Sequence, residues 1–299
     1  MEQWPLLGES AALLAAMIWA VSMSMYTRFG QGVSPRHLNL FKNCLALVCL
    51  GVVSLFARWQ WPGDTRTYLV LASSGLVGLA LGDTLLFVSL KSMGVQRTSV
   101  FQCLAPPFAA LMAWVFFGEV LVLWEWLGLI LTVVFLALIL KARSGSDHLP
   151  LTSLGILSAL GAALCQAFAM TSLRWSLQGV DVWAGTFLRI SPSILALLLY
   201  ASFIRRDLGE LKAVVIPRSR VFFLSAAAFI GTFLGLVLMS TGAKYSKAGV
   251  ATALSSTTPI WILPVAHFML GEKLSVKLLL LTFGAVLGVA LMILGPHFL

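Results

Sequence analysis

The chain has 299 residues, 60% of them hydrophobic and only 10% charged. A water-soluble domain carries about 25% charged residues, so this composition excludes a soluble globule and points to an all-α, multi-pass membrane protein. The net charge of +9 gives no case for nucleic-acid binding, because Lys and Arg are scattered over short loops and helix ends, where they meet lipid phosphates or set topology.

Breaks at charges, Gly and Pro divide the chain into ten apolar segments, each near the ~20 residues that a spanning helix needs. They are 8–28, 37–57, 68–90, 95–117, 122–141, 153–174, 182–204, 221–243, 248–270 and 274–295. The first segment follows Glu2 without a basic leader region, so it is expected to stay in place as a membrane helix. Trp19, Ser22 and Tyr26 share one face of it, either lining a cavity or packing against a neighbour. Lys42 lies more than one turn inside the second segment. Asp83 lies in the third, about four residues past the middle, or roughly 6 Å from the bilayer centre.

Ionisable groups at membrane depth are costly and need a reason. Asp83 reads as a proton-coupling carboxylate, as a partner for a cationic substrate group, or as a structural partner of Lys42 or Arg189. The fourth segment holds Gln102, Pro106 and Pro107 and stops on Gly118-Glu119. The segment is expected to be one helix in which Pro106 cannot donate to the carbonyl of Gln102, nor Pro107 to that of Cys103, with a packing kink as the alternative. The freed carbonyls then either face a wet cavity or are relieved by neighbouring hydroxyls. Gly118 is expected to end the helix, with Glu119 at the positive start of the fifth.

Gln166 in the sixth segment stands where Trp19 stands in the first, and Arg189 in the seventh stands where Lys42 stands in the second. As a pair, Lys42 and Arg189 either hold an anionic group such as a carboxylate or serve loop carbonyls and lipid headgroups. The ninth segment carries Ser255, Ser256 and Pro259 and stops on Gly271-Glu272.

These coincidences extend along the chain. A shift of 147 residues places Leu7-Gly8 on Leu154-Gly155, and "QGV" at 31–33 on "QGV" at 178–180. A shift of 153 places Gly78 and Gly82 on Gly231 and Gly235, Lys91 on Lys244, Pro106 on Pro259, and Gly118-Glu119 on Gly271-Glu272. The chain therefore reads as two copies of a five-helix unit, 1–143 and 151–299. Five is odd, so the second copy enters the membrane inverted, which is the geometry of alternating access.

"LKSMGVQRTSVFQCLAPPFAALMAWVFFGEVLVLWEWLG" (90–128) resembles the EamA repeat of the drug/metabolite transporter superfamily, and "GAKYSKAGVATALSSTTPIWILPVAHFMLGEKLS" (242–275) carries the same marks. These are a basic residue closing the third helix, a small-residue entry to the fourth, a proline within it, and Gly-Glu before the fifth. Trp19 and the basic residues Lys42 and Arg189 also fit that pattern. The resemblance implies ten helices in two inverted repeats and export or exchange of small metabolites, often amino acids or drugs. Lys42 departs from the usual Arg, and Asp83 is no mark of the repeat. The resemblance also implies cytoplasmic termini. Charge counting disagrees: Arg58, Arg66, Arg174, Lys244 and Lys247 fall at the N-terminal face, against thirteen basic residues at the other. The side that the termini face stays open.

The function expected is a secondary transporter in a bacterial inner membrane, acting as a single chain on a small-molecule substrate among membrane lipids. A proton is the coupling ion that Asp83 suggests. No nucleotide-binding GxxxxGK[ST] is present, so ion coupling or exchange is expected in place of ATP drive. A membrane enzyme is disfavoured, because His37, His148, His267 and His297 stand in no HExxH or nucleophile–base arrangement. Cys44, Cys49, Cys103 and Cys165 lie in apolar stretches with no metal spacing, so no metal and no cofactor are expected. The alternatives are a flippase for a lipid-linked substrate on the same scaffold, and a non-transporting scaffold or channel.

Overall fold

The structure, a computed structural model, describes residues 6–30, 33–56, 58–93, 98, 101–142, 152–205, 218–258, 260–261 and 276–295. No strand occurs among them, and the helices follow the ten apolar segments. They are α1 (Leu7–Phe29), α2 (Pro35–Phe56), α3 (Thr65–Gly75, Leu76–Gly82 and Asp83–Met93 in one run), α4 (Ala105–Phe117) and α5 (Leu123–Ala142). The second half has α6 (Ser153–Ser176), α7 (Val182–Leu199, continuing through Tyr200–Arg205), α8 (Arg218–Ala227, Ala228–Leu234 and Gly235–Tyr245 in one run), α9 (Ala248–Ser255) and α10 (Val276–Leu294). Among the described residues, six helices are long and apolar enough to cross a membrane.

The starts of several helices are written in short polar residues. Asp64 accepts from the Thr67 N–H, Thr152 from the Gly155 N–H, and Asp181 from the Trp183 N–H, each satisfying a donor that the first turn leaves free. At the end of α4, Gly118 takes φ 65° and donates to the Trp114 carbonyl. That left-handed turn ends the helix as expected.

Two features depart from ten plain helices. First, α4 is not a kinked continuation of the preceding helical residues. The chain turns at Cys103 and Leu104, and Pro106 and Pro107 stand in the first turn of a new helix. A proline costs nothing there, because a first-turn N–H has no intrahelical partner to lose. The second half does the same: α9 ends at Ser255, the chain turns at Ser256 and Thr257, and helix resumes at Thr258. Pro259, Gly271 and Glu272 lie outside the described residues. Second, α3 and α8 each contain a π-helical stretch in mid-span, Leu76–Gly82 and Ala228–Leu234. Such widened turns loosen the backbone ladder and recur at functional sites.

Packing runs across the halves. α1 lies along α8, α3 along α6, α4 against α6 and α9, and α5 along α10. Much of the buried seam is small, including Ala12, Ala15, Ala110, Ala163, Ala167, Ala228, Ala251 and Ala253. Lipid is as apolar as leucine, so close approach, not hydrophobicity, holds such helices together. Gly288 is a clear case: a methyl there would overlap Thr132 and the carbonyl of Gly128, closing the α5–α10 contact.

Candidate functional site

The two mid-span π stretches, as distinct from the π turn Tyr200–Arg205 that ends α7, face the polar residues picked out from the sequence. Lys42 on α2 reaches Asp83, the first residue after the π stretch of α3, with Nζ 2.9 Å from Oδ2. Their side chains are 15% and 21% exposed, so the pair is largely shielded. Asn39, one turn before Lys42, donates to the carbonyl of Leu79 inside the π stretch at 3.1 Å. Asn43 donates to Asn39 Oδ1 at 3.2 Å, and both amides are fully buried. The sequence reading passed over these two asparagines. Their signal was available: positions 39, 42 and 43 share one helical face.

Arg189 on α7 approaches the same stretch from the other half. It is 4% exposed, and its carbonyl packs so closely on Gly75 that a methyl there would overlap it. Its guanidinium lies near Gly78 and acts on Asp83 through charge, but no described residue hydrogen-bonds to it. Lys42 and Arg189 thus converge on one acid, and only Lys42 is in contact with it. Pro192 lies within α7 three residues after Arg189, another feature the sequence reading left out. It leaves the Leu188 carbonyl without its usual donor.

The Trp19 stripe forms a seam with α8. Trp19 Nε1 donates to the Gly231 carbonyl at 2.7 Å, Ser22 to the Ala227 carbonyl at 2.9 Å, and Tyr26 meets Thr232 Oγ1 at 3.5 Å. All three bind α1 to α8, Trp19 and Tyr26 at its π stretch and Ser22 at Ala227, the residue just before it. The other half has a counterpart: Ser74 on α3 donates to the Ala169 carbonyl on α6 at 2.9 Å. The 147 and 153 shifts carry Ser22 to Ala169 and Ser74 to Ala227, so the two bonds join equivalent places with the donor exchanged. Gln166 is half-buried on α6, beside Cys165, which packs against Gly82.

The broken helices are less open than their prolines suggested. Gln102 is tied by its amide to the Ala159 carbonyl at 3.1 Å. Ser255 and Ser256 both donate to the Thr252 carbonyl, at 2.9 and 2.8 Å. Their hydroxyls are therefore spent on their own helix, which is the structural alternative for them.

Glu119 requires a correction. It does not serve the start of α5. Its Oε1 accepts from the Ala248 N–H at 3.1 Å, capping α9 in the other half, and lies 3.9 Å from Arg174 Nε. The carboxylate at the start of α5 is Glu125, which accepts from the Val122 N–H at 2.7 Å and from Lys247 Nζ at 2.6 Å. Arg174 donates to the Lys244 carbonyl, and Lys244 Nζ to the Val180 carbonyl at 2.6 Å. Together these close the face at which α1 begins. Burial pushes the Glu119 carboxyl above its ordinary value, against the pull of Arg174, the Ala248 N–H and Lys247 and with the push of Glu125.

Among the described residues, no cluster of His, Cys, Asp or Glu has the makings of a metal site.

The EamA-like transporter family matches residues 6–141 and again 153–294. An uncharacterized transporter of Archaeoglobus fulgidus is 28% identical over 288 residues, covering 95% of this chain and 97% of its own. The uncharacterized transporter YdfC of Bacillus subtilis is 23% identical over 265 residues, covering 85% and 80%. A solved protein crystal structure superposes with a TM-score of 0.77 at 17% identity over 95% of both chains, a likeness of fold.

Proposed function

Because the chain belongs to the EamA-like transporter family, we propose that it exports or exchanges small organic metabolites, such as amino acids or amphipathic drugs, by alternating access. It is an integral membrane protein, and the membrane proposed is the bacterial inner membrane. Residues 1–143 and 151–299 act as two inverted repeats. The exchanged Ser22–Ala227 and Ser74–Ala169 bonds, the matched π stretches and the matched helix breaks support that reading.

The carrying observation is Asp83 in contact with Lys42 while Arg189 stands buried with no hydrogen bond from its guanidinium to the described residues. A buried guanidinium with unmet donors is costly, and an anionic substrate group is what recovers that cost. Arg189 is therefore assigned to a carboxylate-like group of the substrate. Asp83 is assigned to coupling: protonation releases Lys42 and changes the charge around Arg189. Gln166 and Trp19 sit on equivalent helices beside this region and would contact the remainder of the solute once the α1–α8 and α3–α6 seams part.

The test is flux into proteoliposomes under an imposed pH gradient, using pools of amino acids, nucleosides, polyamines and dyes. Asp83→Asn is expected to remove the pH dependence of flux. Arg189→Gln is expected to raise the KM for carboxylate-bearing solutes about tenfold or more, the worth of a charge-assisted contact, and to leave cationic solutes unaffected. Wild-type pH dependence in Asp83→Asn would overturn the coupling role. An equal loss for all solutes in Arg189→Gln would overturn the anion assignment.

A further inference from the structure

Away from the Lys42–Asp83 region, a groove of about 290 Å³ opens between α3 and α4, with α6 as its floor. Its mouth is made of helix ends on one face: Arg66 in the first turn of α3, Phe117 closing α4, and Trp175 in the last turn of α6. That places it at the depth of the membrane interface, with Phe116 and Phe117 exposed to lipid at 67% and 40%. The deeper wall is apolar in effect. Met112 and Phe168 line it, and the hydroxyls of Ser73 and Thr171 are spent on the carbonyls of Val70 and Ala167.

Arg66 is the unusual element. Its guanidinium lies 4.8 Å over the Trp175 ring, and among the described residues it makes no hydrogen bond or ion pair. Asp64 accepts from the Arg66 backbone N–H but reaches the guanidinium only through charge, its carboxylate being otherwise committed to the Thr67 N–H and hydroxyl at 2.8 and 2.7 Å. By contrast, Arg174, Lys244 and Lys247 at the same face are each held by a protein oxygen. A ring-stacked guanidinium keeps its N–H edge free, and that edge matches a phosphate in two parallel bonds.

We propose that this groove holds one acyl chain of an anionic phospholipid whose phosphate pairs with Arg66. The lipid acts as a bound wedge between α3 and α4. It touches Trp175, whose neighbour Arg174 belongs to the closure of that face, so its occupancy favours the closed arrangement.

The full chain is placed in nanodiscs of mixed phosphatidylglycerol and phosphatidylcholine, and retained lipid is read by native mass spectrometry. One phosphatidylglycerol is expected to survive release, with about tenfold weaker retention in Arg66→Gln. A groove-filling Ser73→Trp is expected to lose retention with Arg66 intact, which keeps the proposal testable if Arg66→Gln misfolds. Glycerophosphate, a head without chains, is expected not to compete. Equal retention of phosphatidylcholine, unchanged retention in both variants, or full competition by glycerophosphate would each overturn the site. Transport plays no part in the readout, so the outcome is independent of the substrate assignment.

Discussion

At the scale of single residues, the decisive arrangement is two cations and one acid. Lys42 and Asp83 are 2.9 Å apart and mostly shielded, so each is tolerable largely because of the other. Removing one partner strands a charge at membrane depth. Lys42→Gln is therefore expected to lower stability by about 3 kcal/mol, and the double variant Lys42→Gln with Asp83→Asn by clearly less. Thermal unfolding in detergent measures both. A double variant as unstable as the sum of the singles would mean the pair is not coupled. Arg189 offers the contrast. It makes no hydrogen bond to the described residues, so Arg189→Gln is expected to hold or raise stability while impairing transport. The stability–function opposition expected of a binding group is predicted there and not at Lys42.

At the scale of helices, ten spans were legible because lipid imposes a length and an apolar composition on each. The breaks and widened turns inside them were not. A π stretch adds little more than one residue to a turn and leaves hydropathy untouched, so Leu76–Gly82 and Ala228–Leu234 look like ordinary helix in sequence. Pro106 was visible, but its role depends on where a helix starts, which hydropathy does not reveal within an apolar run. Asp83 was visible as a buried acid, yet Lys42 and Arg189 are equivalent in sequence, and only packing decides which one it meets. Glu119 was read against its sequence neighbour α5, although its carboxylate crosses to α9. Glu119→Ala is expected to cost about 1 kcal/mol through the lost cap. Glu119→Gln keeps an acceptor for Ala248 and removes a buried charge. Burial raises the folded-state pKa of Glu119 above its ordinary 4.5, so the fold favours the neutral form. Its contribution is then full below that ordinary value and is lost as pH rises through the shifted one. Melting temperature measured from acid to neutral pH should accordingly fall less steeply in Glu119→Gln than in the wild type. An identical slope would place the carboxyl in an unshifted environment.

At the scale of the whole molecule, the alternating access proposed above would require the face where α1 begins to part along the line between the halves. Among the described residues, the polar contacts on that line at this face are Glu119 to the Ala248 N–H, Glu119 to Arg174 and Glu125 to Lys247, while Arg174 and Lys244 brace the second half through the Lys244 and Val180 carbonyls. Below them the halves meet through small residues, which slide at little cost because lipid replaces protein contact with equal apolarity. The polar bonds therefore set much of the preference for this closed arrangement. Glu125 is 7% exposed in its side chain, and Lys247 is 32% exposed, so their 2.6 Å contact is only partly screened by solvent. A loss of one to two kcal/mol there would shift the open fraction about 5- to 30-fold. Lys247→Gln and Glu125→Gln are each expected to raise backbone hydrogen exchange in 118–125 and 246–252 by a factor in that range. The exchanged double variant Glu125→Lys with Lys247→Glu should restore part of the protection, because the attraction survives the swap while a lysine at 125 meets the positive start of α5 and cannot accept from the Val122 N–H. Exchange rising equally in helices far from this face would indicate general destabilisation. A rise confined to these two segments, reversed in part by the swap, is the behaviour of a closure that opens between the halves.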